Sequence, residues 1–231
     1  MTDARDDLED QLDDIALLDE PTRRALYRYV VGRPDAVGRD EAAAAVDVSR
    51  GLAAFHLDRL AEAGLLEVEY RRLSGRSGPG AGRPAKLYRR AERQVDVTLP
   101  PRRFRLAAEL LADALDRPEA GPARGALADA ARERGRAEAA RLAAGLGSRP
   151  SRARRLEALW AVLSDCGYEP YQDGGAWRVR NCPFHPLASA HTELVCGMTG
   201  EFVAGAAGAL ALAPELALDP RPGECCVVIR F

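Results

Sequence analysis

The chain has 231 residues and a mass of 24.9 kDa, with 47% hydrophobic residues, 29% charged residues and a formal net charge of −2. That length holds one large domain or two ordinary ones, and that composition excludes a wholly disordered or fibrous chain. No apolar run approaches the ~20 residues of a membrane helix, and the acidic start lacks the apolar stretch of a secretory signal. The expectation is a cytoplasmic protein without a membrane partner, its five cysteines being thiols, core residues or metal ligands rather than disulfides.

Charge is distributed unevenly. Residues 1–20 carry nine carboxylates against Arg5 and read as a mobile acidic tail with no assigned function. Residues 69–93 carry eight bases against Glu69 and Glu92. A concentrated basic segment in a nearly neutral chain fits a modular nucleic-acid binder.

Residues 21–93 predict a winged helix-turn-helix. Pro21 stands at a first helical position behind Asp19 and Glu20, and Leu26, Tyr29 and Val30 follow at helical spacing until Gly32-Arg33-Pro34. A short helix over 41–46 has Asp40 as its expected cap, and Asp47-Val48 is a tight connection. Ser49 caps a third helix over 50–63, whose expected inward stripe is Leu52, Ala53, Leu57 and Leu60, with Gly64 after the last turn. Residues 65–72 alternate as a strand, 74–82 are too rich in glycine for regular structure, and 83–89 return as a second strand.

This order assigns DNA contacts. A helix enters the major groove with its first turns nearest the base edges. Here that places Ser49 and Arg50 at the entry, with Ala54, Phe55 and Arg59 on the outward face. Arg50 and Arg59 can reach phosphates or guanine edges, and Ala54 and Phe55 offer apolar contact to thymine methyls. His56 either touches a phosphate or packs at the helix edge. Wing residues Arg72, Arg76, Arg83 and Lys86 would meet phosphates or the minor groove of a double-stranded operator.

Residues 94–148 read as a helical connector. Phe104, Ala107, Ala108, Leu111, Ala114 and Leu115 recur at helical spacing, and an Ala- and Arg-rich helix follows over 125–142. Its thin face (Leu127, Ala131, Gly135, Ala139, Leu142) permits close helix approach. A homodimer interface is the expectation there, with an intramolecular bundle as the alternative.

Residues 149–231 predict a small α+β domain. A helix over 152–166 precedes a hairpin over 168–180, a loop over 181–186, a helix over 187–207, and strands over 215–218 and 224–231. The whole is therefore mainly α with an α+β C-terminal part. Cys182, Cys196, Cys225 and Cys226 fall here, with His185 three residues after Cys182. Thiolates plus an imidazole suit zinc or an iron–sulfur cluster. Neighbouring strand residues point to opposite faces, so only one of Cys225 and Cys226 is expected to join the others unless a bulge intervenes. Cys166 reads as a core thiol and His191 as a non-ligand. No phosphate-cradling glycine motif or Ser/His/Asp arrangement is present, and only three histidines exist, so no enzyme is expected.

The stretch from Ser49 through His56-Leu57-Asp58-Arg59-Leu60 to Ala63-Gly64-Leu65 resembles the recognition-helix segment of bacterial ArsR-type repressors, although Ala54 stands where many members have Ser. The loop Cys182-Pro183-Phe184-His185, the segment Leu194-Val195-Cys196-Gly197-Met198 and the run Pro222-Gly223-Glu224-Cys225-Cys226 extend the likeness to SufR-type iron–sulfur-responsive repressors. The resemblance implies a dimer binding one [4Fe-4S] cluster per subunit through Cys182, Cys196 and Cys225 or Cys226. His185, the second member of the Cys pair or a small molecule would complete the fourth iron. It also implies that the loaded form represses cluster-assembly genes. Three rivals stand beside it: a zinc site, a thiol redox switch, and a small-molecule-binding or enzymatic module tethered to DNA.

Overall fold

The computed structural model describes residues 4–72, 84–98, 102–221 and 224–231. Arg76 and Arg83 of the expected wing lie outside the described residues. The chain divides into two compact units, Met1–Arg102 and Arg103–Phe231. Among the described residues, no helix is long and apolar enough to cross a membrane.

The first unit contains α1 (Ala4–Leu17), α2 (Pro21–Val31), β1 (Val37–Gly38), α3 (Arg39–Val46), α4 (Arg50–Glu62), β2 (Leu66–Arg71) and β3 (Ala85–Arg90). The Glu20 carboxylate caps α2 by accepting from Thr22 N at 3.0 Å and Arg23 N at 2.5 Å, with Pro21 in the first turn. Ser49 caps α4 by accepting from Leu52 N at 3.3 Å, and Gly64 leaves the helix at φ +72°. The antiparallel sheet has the order β1-β3-β2. Leu26, Val30, Leu57, Leu60, Leu66 and Tyr88 fill the core between helices and sheet.

Three expectations change in this unit. The acidic tail is a helix, α1, and Asp14 is buried against Arg93 at 2.6 Å. Asp40 is not a cap: Gly38, leaving β1, precedes α3 directly, and Asp40 pairs with Arg50 at 2.6 Å. Leu52 is 42% exposed, because the buried stripe of α4 is Ala53, His56, Leu57 and Leu60. That is the i, i+3, i+4, i+7 series, and the histidine occupies the place given to Leu52.

The second unit contains α5 (Phe104–Leu115), a 3₁₀ turn (Pro118–Ala120), α6 (Gly121–Ala143), α7 (Arg152–Asp165), β4 (Pro170–Asp173), β5 (Ala176–Val179), α8 (His185–Ala190), α9 (Thr192–Ala209), β6 (Glu215–Leu218) and β7 (Val227–Arg230). The sheet is antiparallel in the order β4-β5-β7-β6. Leu159, Leu163, Val179, Val203, Val227 and Ile229 form its core. The thin face of α6 is covered within the chain: a Cβ on Gly135 would overlap the Phe202 carbonyl oxygen and lie 2.9 Å from Ala206 N. One on Gly205 would likewise overlap the Arg132 carbonyl oxygen. Helices α6 and α9 thus meet backbone to backbone, and the face read as a subunit contact is an intramolecular one.

The single helix expected over 187–207 is two helices. His191 leaves helical geometry (φ −128°, ψ 53°), and its ring pairs with Asp116 through Nδ1 and with Asp113 at 3.6 Å. Cys225 and Cys226 precede β7 rather than opening it, so strand alternation does not govern them.

Candidate nucleic-acid interface and thiol site

In the first unit, α4 presents Phe55, 56% exposed, together with exposed Gly51, Leu52 and Arg59 and half-buried Ala54. His56 is buried: its Nδ1 accepts from Arg23 Nε at 3.3 Å and its Nε2 lies 3.5 Å from Glu20. Those contacts fasten α4 to the start of α2. Asp58, on the same helix, accepts from Lys86 Nζ at 2.6 Å and from the Tyr88 hydroxyl at 2.5 Å. Burial works upward on the Asp58 carboxyl, but the bonds from Lys86 and Tyr88 and the Lys86 charge outweigh it and hold its pKa below the usual value. Burial first, then the bond to Asp58, pushes the Tyr88 phenol up.

Beside the start of α4 lies a groove of about 990 Å³. Arg33, Arg39, Arg50, Arg71 and Lys86 line it with Tyr70, which is 64% exposed. Arg72 is exposed just beyond β2. Asp35, Asp40 and Glu41 share the lining, and Arg50 pairs with Asp40, so the groove carries a modest surplus of positive charge, the sign a phosphate backbone attracts. The sequence pointed to Arg50 and Lys86 but not to Arg33, Arg39, Tyr70 or Arg71. The signal was available for the arginines: Arg33 and Arg39 flank β1, a strand of only two residues that periodicity does not reveal.

In the second unit, four thiols from three elements meet. Cys182 follows β5 in a turn closed by His185 N donating to Cys182 O at 3.0 Å. Cys196 is buried on α9. The Cys225–Cys226 pair is pinned on both sides, Cys225 N donating to Val179 O at 2.9 Å and Asp219 N donating to Cys226 O at 2.8 Å. Cys225 lies next to Cys182. Cys196 lies next to Cys226 and within reach of the Cys182 charge.

These contacts differentiate the thiols. The bond from Cys225, opposed by burial and helped by Phe184 N–H, lowers the Cys182 pKa. The same bond, with burial, raises Cys225, although Val227 N–H bonds its sulfur. Burial, then the bond to Cys226, raises Cys196. Both Cys225 and Cys226 face the group, where alternation had predicted one. His185 is exposed at the start of α8 and joins none of these thiol bonds.

The donor chemistry fits a thiophilic metal centre: buried sulfurs, two of them bonded by backbone N–H groups. The sulfurs lie as two neighbouring pairs, Cys182 with Cys225 and Cys196 with Cys226. Among the described residues, no group of three or more His, Cys, Asp or Glu is arranged to hold a metal ion.

Residues 17–69 match a family model described as a helix-turn-helix domain. No curated protein and no solved structure matches the chain. The match runs from α2 into β2 and includes Arg33, Arg39 and Arg50 of the basic groove, while Tyr70, Arg71 and Lys86 lie beyond it. This first unit therefore carries a helix-turn-helix domain backed by a β hairpin, which supports a DNA-binding transcription regulator.

Proposed function

We propose that the protein is a dimeric repressor whose hold on its operator is set by the four thiols of the second unit. The observation that carries this reading is the meeting of Cys182, Cys196, Cys225 and Cys226 from a loop, a helix and a strand entry. Four converging sulfurs exceed what core packing requires, and the lowered pKa of Cys182 gives the group one member with thiolate character. The first candidate occupant is a [4Fe-4S] cluster, with zinc as the alternative metal. Bound there, a cluster would supply an oxidant- and iron-sensitive crosslink among the three elements. The chain's own residues hold the sulfurs for it: Phe184 N–H and Val227 N–H bond Cys182 and Cys225, favouring their thiolate forms.

A second reading is favoured by the pairing itself. Cys182 is neighbour to Cys225, and Cys196 to Cys226. Each pair could give a disulfide with a peroxide as oxidant, two thiols and one peroxide yielding one disulfide and two waters.

Dimerisation is supported by α5, which leaves Phe104, Leu110 and Leu111 exposed at 72%, 61% and 66%. A helix-turn-helix reader commonly places two copies on two half-sites, and a second copy of α5 is the proposed cover. Leu111→Glu should turn the dimer into a monomer in sedimentation.

The deciding experiment is an anaerobic visible spectrum with iron and sulfide analysis. Operator affinity of loaded and metal-free protein is then compared at one salt concentration. Iron and sulfide with visible absorbance, lost in Cys196→Ser, and a roughly 5–150-fold change in affinity are expected. A colourless protein with zinc selects the zinc reading. A metal-free protein with a Cys182–Cys225 disulfide by mass spectrometry selects the redox reading. Equal operator affinity in every state removes the switch.

A further inference from the structure

The second unit holds a cavity of about 620 Å³ between α6, α7 and α9, within the range of small-molecule sites. Leu142, Val162, Met198 and Phe202 make its wall apolar. The Tyr168 ring lies nearly parallel to Phe202, with centroids 6.3 Å apart. Thr199 stands in this lining with the Tyr168 phenol, the Cys166 thiol and the charged groups Arg134, Glu138, Arg141 and Asp165. Thr199 is 2% exposed, and its Oγ1 is buried with no hydrogen-bond partner. The Tyr168 phenol interacts with Thr199 without completing a bond to that atom. A buried hydroxyl left unpaired is costly, and a ligand that bonds it removes the cost.

The rim settles the charge of the occupant. Arg134 and Arg141 both pair with Glu138, at 2.6 and 2.9 Å, and the Glu138 side chain is only 15% exposed. The two cations are already neutralised in part by that shared carboxylate, and Asp165 adds a second negative group. An anion entering there meets no surplus positive charge.

We propose that this cavity binds a small neutral aromatic molecule bearing one hydroxyl or carbonyl group, the ring stacking among Tyr168, Phe202 and Met198 and the oxygen bonding Thr199. The site would give the regulator an effector besides whatever the thiols hold, and it stands or falls independently of them.

The test titrates the full chain with 2-naphthol and with 2-methylnaphthalene, which has the same shape but no hydroxyl, followed by fluorescence or calorimetry. The expected result is saturable 2-naphthol binding, about tenfold tighter than 2-methylnaphthalene. Thr199→Val, which keeps the shape and removes the hydroxyl, should erase that preference while leaving weak binding of both. Met198→Trp, which fills the cavity, should abolish both. Circular dichroism confirms that each variant is folded, and Thr199→Val alone suffices should Met198→Trp fail to fold. Absence of binding, equal affinity for the two probes, or a preference that survives Thr199→Val overturns the proposal.

Discussion

Both units have a core of bulky side chains, but they differ in how closely their helices approach. In the first, bulky side chains (Leu26, Leu57, Leu60 and Tyr88) fill the space between helices and sheet, and the helices stand apart by the width of those groups. In the second, α6 and α9 meet where glycines face carbonyl oxygens, and no side chain separates them. The first kind of packing tolerates changes of shape when volume is kept. The second has no slack, because backbone cannot move out of the way of an added methyl group.

The largest effect should come from breaking that second contact. Gly135→Ala places a Cβ against the Phe202 carbonyl, and α6 must shift along its length to relieve it. A loss of about 3 kcal/mol is expected, at the upper end of ordinary overpacking. A methyl group added at Gly200, on α9 itself, would meet nothing within 4 Å, so Gly200→Ala should stabilise by about 0.5–1 kcal/mol through helix propensity alone. Urea denaturation of the two variants checks this, and similar midpoints would contradict the close approach.

A smaller effect is expected at the start of α4. The Ser49 hydroxyl satisfies Leu52 N, so Ser49→Ala should cost about 1 kcal/mol. Thermal unfolding measures it, and Ser49→Asp, which can still cap, should restore most of the loss. A Ser49→Asp variant as weak as Ser49→Ala would show that the cap is not what stabilises the helix start.

What could be read from the sequence follows the same division. Caps and stops act within four residues, so Ser49, Gly64 and Pro21 announced their helices, and alternation announced β2. The cysteines were recognisable as a set by residue type alone. Their pairing was not, because Cys182 and Cys225 meet only through the β5–β7 arrangement. The α6–α9 contact was half readable: small residues signalled close approach, but nothing local said whether the partner was α9 or another copy. The α1 helix was hidden because a run of acids reads as solvated until Arg93, far along the chain, is brought to Asp14.

On the DNA side, Arg39 is the sharpest probe of the basic groove. It opens α3 beside Arg50 and was not visible as a DNA contact from the chain order. Arg39→Ala should lower the slope of log affinity against log salt by about 1, with little change in which sequence is preferred. Arg105→Ala, in the second unit, replaces an arginine paired with Glu109 on α5 and serves as the control that should leave the slope unchanged. Equal slopes for all three proteins would take Arg39 out of the interface.

The smallest expected effect tests whether the first unit uses charge as the second uses contact. Asp58 joins α4 to β3 through Lys86 and Tyr88, and its carboxyl is held below the usual value in the folded protein. A carboxylate with a lowered folded pKa stabilises fully above its unfolded value of about 4 and loses that contribution as pH falls through the folded value. The Asp58 side chain is 43% exposed, so the increment is modest and screened by salt. Asp58→Asn should therefore unfold at lower urea than the parent at pH 6, and the two midpoints should converge as pH falls through the lowered folded value. The same substitution releases Lys86 from its partner at the edge of the groove. Operator binding should then become more salt-dependent even though the fold is weaker. A parallel fall in stability and in salt dependence would mean that Asp58 orders the wing for DNA rather than restraining its lysine.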